Sequence, residues 1–105
     1  MANFMMVVTS SAKDGQDDEY NNWYDNQHIH DVCATPGIGD GQRWDAMPEV
    51  SPNAPPTSYL AIYEITADDP SSALAEMMRR AGAGEMPMTD AIDLESAEIW
   101  VYKKH

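Results

Sequence analysis

The order of elements along this chain predicts an α+β fold of the ferredoxin-like type. A βαββαβ protomer of that kind has a four-stranded antiparallel sheet with two helices on one face. Three observations predict it. Four segments read as strands, three of them apolar runs with β-branched or alternating residues. Two segments between them carry helix start and stop signals. All of this fits into 105 residues with no internal repeat and no linker-like stretch, the size of one domain, residues 1–105.

Phe4-Met5-Met6-Val7-Val8-Thr9 is a short apolar run and reads as a well-buried first strand. Ser10 to Gln16 reads as a loop. Asp17 is the expected N-cap of the first helix, and Asp18 and Glu19 favour its first turn through the helix dipole. The helix is expected to run to Val32 or Ala34, where Thr35-Pro36-Gly37 stops it. Gln42 to Met47 is the second strand, and the four prolines between Pro48 and Thr57 make a loop. Ser58 to Thr66 alternates, with Tyr59, Ala61, Tyr63 and Ile65 on one face. Asp68-Asp69-Pro70 reads as an N-cap followed by proline at the first helical position, opening a helix over Pro70–Ala81 that Gly82 ends. Ala83 to Asp93 reads as irregular, a candidate flap, and Ala97 to Lys103 as the last strand.

Both helices would cover one sheet face, yet the strands carry apolar residues on both faces. A second copy of the chain is the economical cover, so a homodimer is expected. Composition narrows the partners. Acidic residues number 18 and basic residues 6, for a net charge of −12. Such a surface repels phosphate backbones and anionic headgroups, so the reading is no nucleic acid and no membrane partner. No apolar run approaches the ~20 residues of a bilayer span. Met1-Ala2-Asn3-Phe4 lacks the basic segment of a secretory signal. Cys33 is the one cysteine, which excludes an intrachain disulfide and fits a cytoplasmic location.

The first helix carries the functional signal. At about 100° per residue, Tyr20, Gln27, His28 and Asp31 all fall within about 60° of Tyr24, with Val32 about 80° away. The aromatic side must face the sheet, because no other side is apolar enough. Gln27, His28 and Asp31 are thereby carried inward, which costs stability unless each finds a partner. Either they are satisfied core residues, or they line an apolar, aromatic pocket with a few convergent polar groups, as small-molecule sites do. His30 points away from His28 on a regular helix, so the two cannot chelate one metal; no metal site is expected, and His30 is either a solvent residue or a second site residue. Cys33, with no basic neighbour, reads as a small buried side chain.

The string Trp23-Tyr24-Asp25-Asn26-Gln27-His28-Ile29-His30-Asp31-Val32, followed by Pro36-Gly37, resembles the signature of the dimeric α+β barrel superfamily, in its EthD-like and related uncharacterised branches. Those sequences show a tryptophan, a tyrosine and an acid on the first helix, a histidine a turn later, then an acid and a proline-glycine stop. Tyr59 to Ile65, Asp68-Asp69-Pro70 and Glu98 to Tyr102 also fit, so the resemblance covers nearly the whole chain. It implies ferredoxin-like protomers packed sheet to sheet. It also implies a ligand between sheet and helices and a helix histidine as acid or base, a role that falls on His28. Relatives include cofactor-independent quinone-forming monooxygenases, muconolactone isomerases, polyketide cyclases and haem-dependent members. Many have proline where this chain has His30.

A neutral imidazole accepts protons at cellular pH. The expected function is therefore acid/base chemistry without a cofactor (isomerase, cyclase or lyase) on a small aromatic, phenolic or lactone-like substrate. His28, Tyr24 and Asp31 are the candidate catalytic residues: His28 as base, tyrosine phenols as oxyanion donors, Asp31 orienting His28 or favouring its charged form. Tyr20, Gln27, His30, Trp44, Tyr63 and Trp100 are the candidate substrate-binding residues, with Trp44 and Trp100 alternatively in the core or a dimer interface. A cofactor-independent monooxygenase forming a quinone and a non-catalytic binding or stress-response barrel are the alternatives.

Overall fold

The computed structural model describes residues 3–105; the two residues before them, part of the segment read above for a secretory signal, lie outside it. Four strands, β1 (Phe4–Ala12), β2 (Ile38–Asp45), β3 (Tyr59–Ile65) and β4 (Ile92–Lys103), form one sheet in the order β2-β3-β1-β4. Every neighbouring pair is antiparallel. The first helix, α1, is continuous in its backbone but changes type: α-helical over Asp17–Trp23, π-helical over Tyr24–His28, and α-helical again over Ile29–Cys33. The second helix, α2, spans Pro70–Gly82. This is the ferredoxin-like α+β arrangement that the element order predicts.

The strands are longer than their apolar runs suggest. β1 continues through Ser10 and Ser11, whose polarity is absorbed locally: Ser10 Oγ bonds the Tyr20 hydroxyl, and the Ser11 amide donates to Ser96 Oγ at 2.8 Å. β2 starts four residues earlier than the sequence suggests, because Ile38 is buried against Ile65. β4 starts at Ile92, inside the expected irregular segment, and bulges between its pairings with Ser11 and Thr9. Ser96 closes that bulge by donating to the Asp93 carbonyl at 2.6 Å.

The helix termini divide. At α2 the expected cap is present: Asp69 accepts from the Ser71 amide at 3.0 Å, with Pro70 at the first position. At α1 the capping residue is Gln16, one position before the expected Asp17, and it makes no side-chain cap bond. Asp17 is instead inside the first turn and accepts from the Tyr59 hydroxyl at 2.6 Å. After α1 the chain reverses at Gly37, whose φ is +89° and where an added Cβ would sit 3.0 Å from those of both Ala67 and Ala73.

Pairing fixes the two sheet faces. Met6 lies opposite Tyr63, and Val8 opposite Ala61 and Ile99, so these residues share the helix-covered face. The core forms there, between Met6, Ala61, Tyr63 and Ile65 of the sheet and Tyr20, Tyr24, Val32, Ala73 and Met77 of the helices. The opposite face carries Met5, Val7, Leu60, Ile62, Trp44, Trp100 and Tyr102. Trp44 and Tyr102 are more than half exposed. Among the described residues no helix is long and apolar enough to cross a membrane.

Candidate functional site

The π turn decides which α1 residues enter the protein. The Ile29 amide donates to the Tyr24 carbonyl, five residues back instead of four. One residue is inserted into the helical register, so everything after the turn rotates by about 100° relative to a regular helix. Val32 swings inward and is buried. Gln27 swings out to solvent, and Asp31 moves to the flank, where it accepts a 2.8 Å bond from Gln27 Nε2. The expectation that Gln27 and Asp31 both reach the core is corrected by this slip: the two satisfy each other at the surface. His30 is exposed.

His28 remains on the inner side. The same turn brings it beside Trp23, five residues earlier, with the rings stacked at 4.4 Å and 20°. In a regular helix, residues five apart point about 140° from each other. Tyr24 meets the imidazole edge-on at 4.9 Å. The imidazole Nδ1 is buried and has no hydrogen-bond partner among the described residues. Burial pushes the His28 pKa down from 6.5 to about 4, against a weaker upward pull from the Asp31 carboxylate. The ring is therefore neutral at cellular pH.

His28 lines a cavity of about 270 Å³ between β1, β4 and the two helices, with the segment 83–91 across it. Its polar side chains are Ser10, Tyr24, His28 and Tyr63; the rest are aliphatic, with Met6, Met77, Met78, Met86 and Met88 prominent. No Asp, Glu, Lys or Arg side chain lines it. The Tyr24 and Tyr63 hydroxyls bond each other at 3.0 Å. Burial raises both phenol pKa values, that of Tyr24 to about 12, so both are protonated donors. Tyr63 has room for its ring because Gly41 faces it: a Cβ there would lie 2.6 Å from the Tyr63 ring carbons.

Arg43 fixes this aromatic group from behind. Its guanidinium lies 4.5 Å from the Tyr24 ring centroid, donates to Asp25 and Asn21 at 2.7 Å each, and also approaches the Tyr20 and Tyr59 rings. Tyr20 does not line the cavity; it supports Ser10 from below. Trp44 and Trp100 lie on the opposite sheet face, away from His28, and so cannot wall this cavity within one protomer. Cys33 is partly buried, which pushes its thiol pKa up and leaves it a poor nucleophile. Among the described residues no group of three His, Cys, Asp or Glu side chains is placed to hold a metal ion.

The segment expected to be a flap does cross the cavity, and it is tied down. Met86 is buried in the core and the Trp23 indole N–H donates to the Pro87 carbonyl at 2.9 Å. Trp23 thus touches both this segment and His28, a role that position counting on a regular helix does not reveal. The conflict visible in the sequence, polar Gln27 and Asp31 facing inward while Val32 turns aside, is the signal that could have found the slip.

No protein-family model matches the chain, and no curated protein matches its sequence. Solved structures do match its fold. One is an ethyl tert-butyl ether D (EthD) family protein from Bacillus halodurans, with a TM-score of 0.64 and 17% identity over 100% of both chains. Another is a NIPSNAP family protein of unknown function from Agrobacterium tumefaciens, with a TM-score of 0.60 and 17% identity over 97% of this chain and 87% of that one. The chain therefore has the ferredoxin-like fold of EthD and NIPSNAP family proteins, as the first-helix resemblance implies.

Proposed function

We propose that this chain is a cofactor-independent enzyme that moves a proton on a small aromatic, phenolic or lactone-like substrate held between sheet and helices, in an isomerase, cyclase or lyase reaction. The observation that carries the reading is His28, a neutral imidazole that lines an apolar cavity and whose buried Nδ1 has no hydrogen-bond partner among the described residues. A structural position would favour leucine there, since an unpaired buried polar atom costs about 1–3 kcal/mol.

The chemistry follows from the lining. His28 takes a proton from an acidic C–H or O–H of the substrate. The electron pair left behind moves onto the substrate oxygen, which accepts hydrogen bonds from the Tyr24–Tyr63 pair. The imidazolium and the oxyanion form together and stabilise each other in a site without competing charges. That attraction offsets the low basicity of the free ring. Returning the proton to another atom gives isomerisation; departure of a leaving group gives elimination. The Asp31 carboxylate assists by its charge alone, because its hydrogen bond goes to Gln27.

A homodimer through the open sheet face belongs to the same proposal. Met5, Trp44, Trp100 and Tyr102 are exposed there beside Leu60 and Ile62, more apolar surface than an isolated sheet carries comfortably. A cytoplasmic location fits the lone cysteine.

The test is His28→Ala against a panel of phenols, quinones and lactones, with turnover and thermal melting read together. The variant should remain cooperatively folded, at some cost from the lost ring contacts with Trp23 and Tyr24, and lose at least about 100-fold in turnover. Unchanged turnover on a substrate the wild type converts would end the proposal.

A further inference from the structure

Two hydroxyl pairs bound the cavity, and each has one proton too many. Tyr24 and Tyr63 bring two O–H groups and make one bond between them. Ser10 and Tyr20 do the same. No other acceptor for any of the four hydroxyls is found among the described residues, and all four side chains are more than nine-tenths buried. Ser10, Tyr24 and Tyr63 line the cavity itself. The site therefore presents surplus donors. It offers no positive counterpart to a negative group: no Lys or Arg side chain lines it, and Arg43, behind the Tyr24 ring, is already paired with Asp25.

We infer that the ligand of this cavity is an uncharged carbonyl compound of one or two rings, a ketone, quinone or lactone, and that the site rejects carboxylates and phosphates. The inference rests on the reading of this cavity as the substrate site and adds the substrate's charge and functional group. Size follows from volume: a cavity of roughly 150 Å³ holds benzene, so about 270 Å³ takes one or two rings. The methionines make the apolar wall adaptable in shape, and so set the ligand's polarity more tightly than its outline. The carbonyl oxygen takes the spare tyrosine proton. A carboxylate would enter a cavity with no cation, inside a chain of net charge −12.

Three probes of matched shape test this on the intact protein: 1-tetralone (neutral, with a carbonyl), tetralin (neutral, without one) and 1-naphthoate (anionic). Affinity is read by calorimetry at neutral pH. Tetralone should bind about tenfold more tightly than tetralin, the size of one hydrogen bond. Naphthoate should bind at least about 100-fold more weakly than tetralone. Replacing Tyr24 and Tyr63 together by phenylalanine, which keeps both rings and removes both hydroxyls, should erase the preference for tetralone over tetralin, because either hydroxyl alone still has a proton to donate. Naphthoate binding as tightly as tetralone, a ketone preference that survives in the Tyr24→Phe/Tyr63→Phe double variant, or no binding of any probe at millimolar concentration each overturns the inference. The proposed function fails separately. Selective tetralone binding with no His28-dependent turnover of any substrate keeps the ligand class and ends the enzyme reading; naphthoate binding beside His28-dependent turnover does the reverse.

Discussion

Replacing His28 by phenylalanine should change how the protein responds to acid. The folded-state pKa of His28, about 4, lies below its ordinary 6.5. As pH falls, the unfolded chain takes up the proton first. Stability is therefore full above about pH 6.5 and is lost progressively down to about pH 4. For those two values the loss reaches about 2 kcal/mol near pH 5, a drop of roughly 8–16 °C in melting temperature for a domain of this size. Phenylalanine keeps the stack on Trp23 and the edge contact with Tyr24 but cannot be protonated. It also removes the partnerless Nδ1. His28→Phe should thus be at least as stable as the wild type near pH 7.5 and should lose about 2 kcal/mol less on acidification to pH 5. Denaturant titrations of both proteins at the two pH values give the difference directly, since the carboxylates common to both cancel. An equal acid response in the two proteins would refute a buried, neutral His28.

Gly41→Ala should destabilise by about 1–3 kcal/mol, because the new Cβ would fall 2.6 Å from the Tyr63 ring; thermal melting measures it, and an unchanged midpoint would show that the ring is not confined. Trp23→Phe should remove the indole bond to Pro87 while leaving a ring on His28, so amide exchange in 83–91 should quicken by about tenfold without a comparable change in the sheet. Trp100→Glu should convert a dimer to a monomer in sedimentation while leaving the protomer folded, since Trp100 is on the open sheet face and outside the core.

The fold was legible because each element carries its own local signal. The alternation of Tyr59–Ile65 and the Asp69-Pro70 helix start give β3 and α2 almost residue for residue. What the sequence hid depends on partners distant in the chain. Ser10 and Ser11 look like loop residues until Tyr20 and Ser96 satisfy them, and β4 begins early only because Ile92 pairs with Ala12. The site was half legible for the same reason. Tyr20, Tyr24, His28 and Tyr63 follow from periodicity and reach the interior. Gln27 and Asp31 were placed by a regular 3.6-residue helix, and a single π turn moved them out and Val32 in. Trp44 and Trp100 could not be assigned a sheet face until the pairing of β2 with β3 and of β4 with β1 was known.

The proposed function requires His28 to be a neutral base in contact with the ligand of the cavity. Long-range proton–nitrogen NMR of the imidazole rings, recorded between pH 3.5 and 8 and again with 1-tetralone added at neutral pH, tests it most directly. The free protein should show a His28 transition near pH 4. Added ligand should shift the His28 nitrogens and leave those of the exposed His30 and His105 unmoved. A His28 ring that titrates at its ordinary pH of about 6.5, or that ignores the ligand while the ligand binds, is not the base of this cavity.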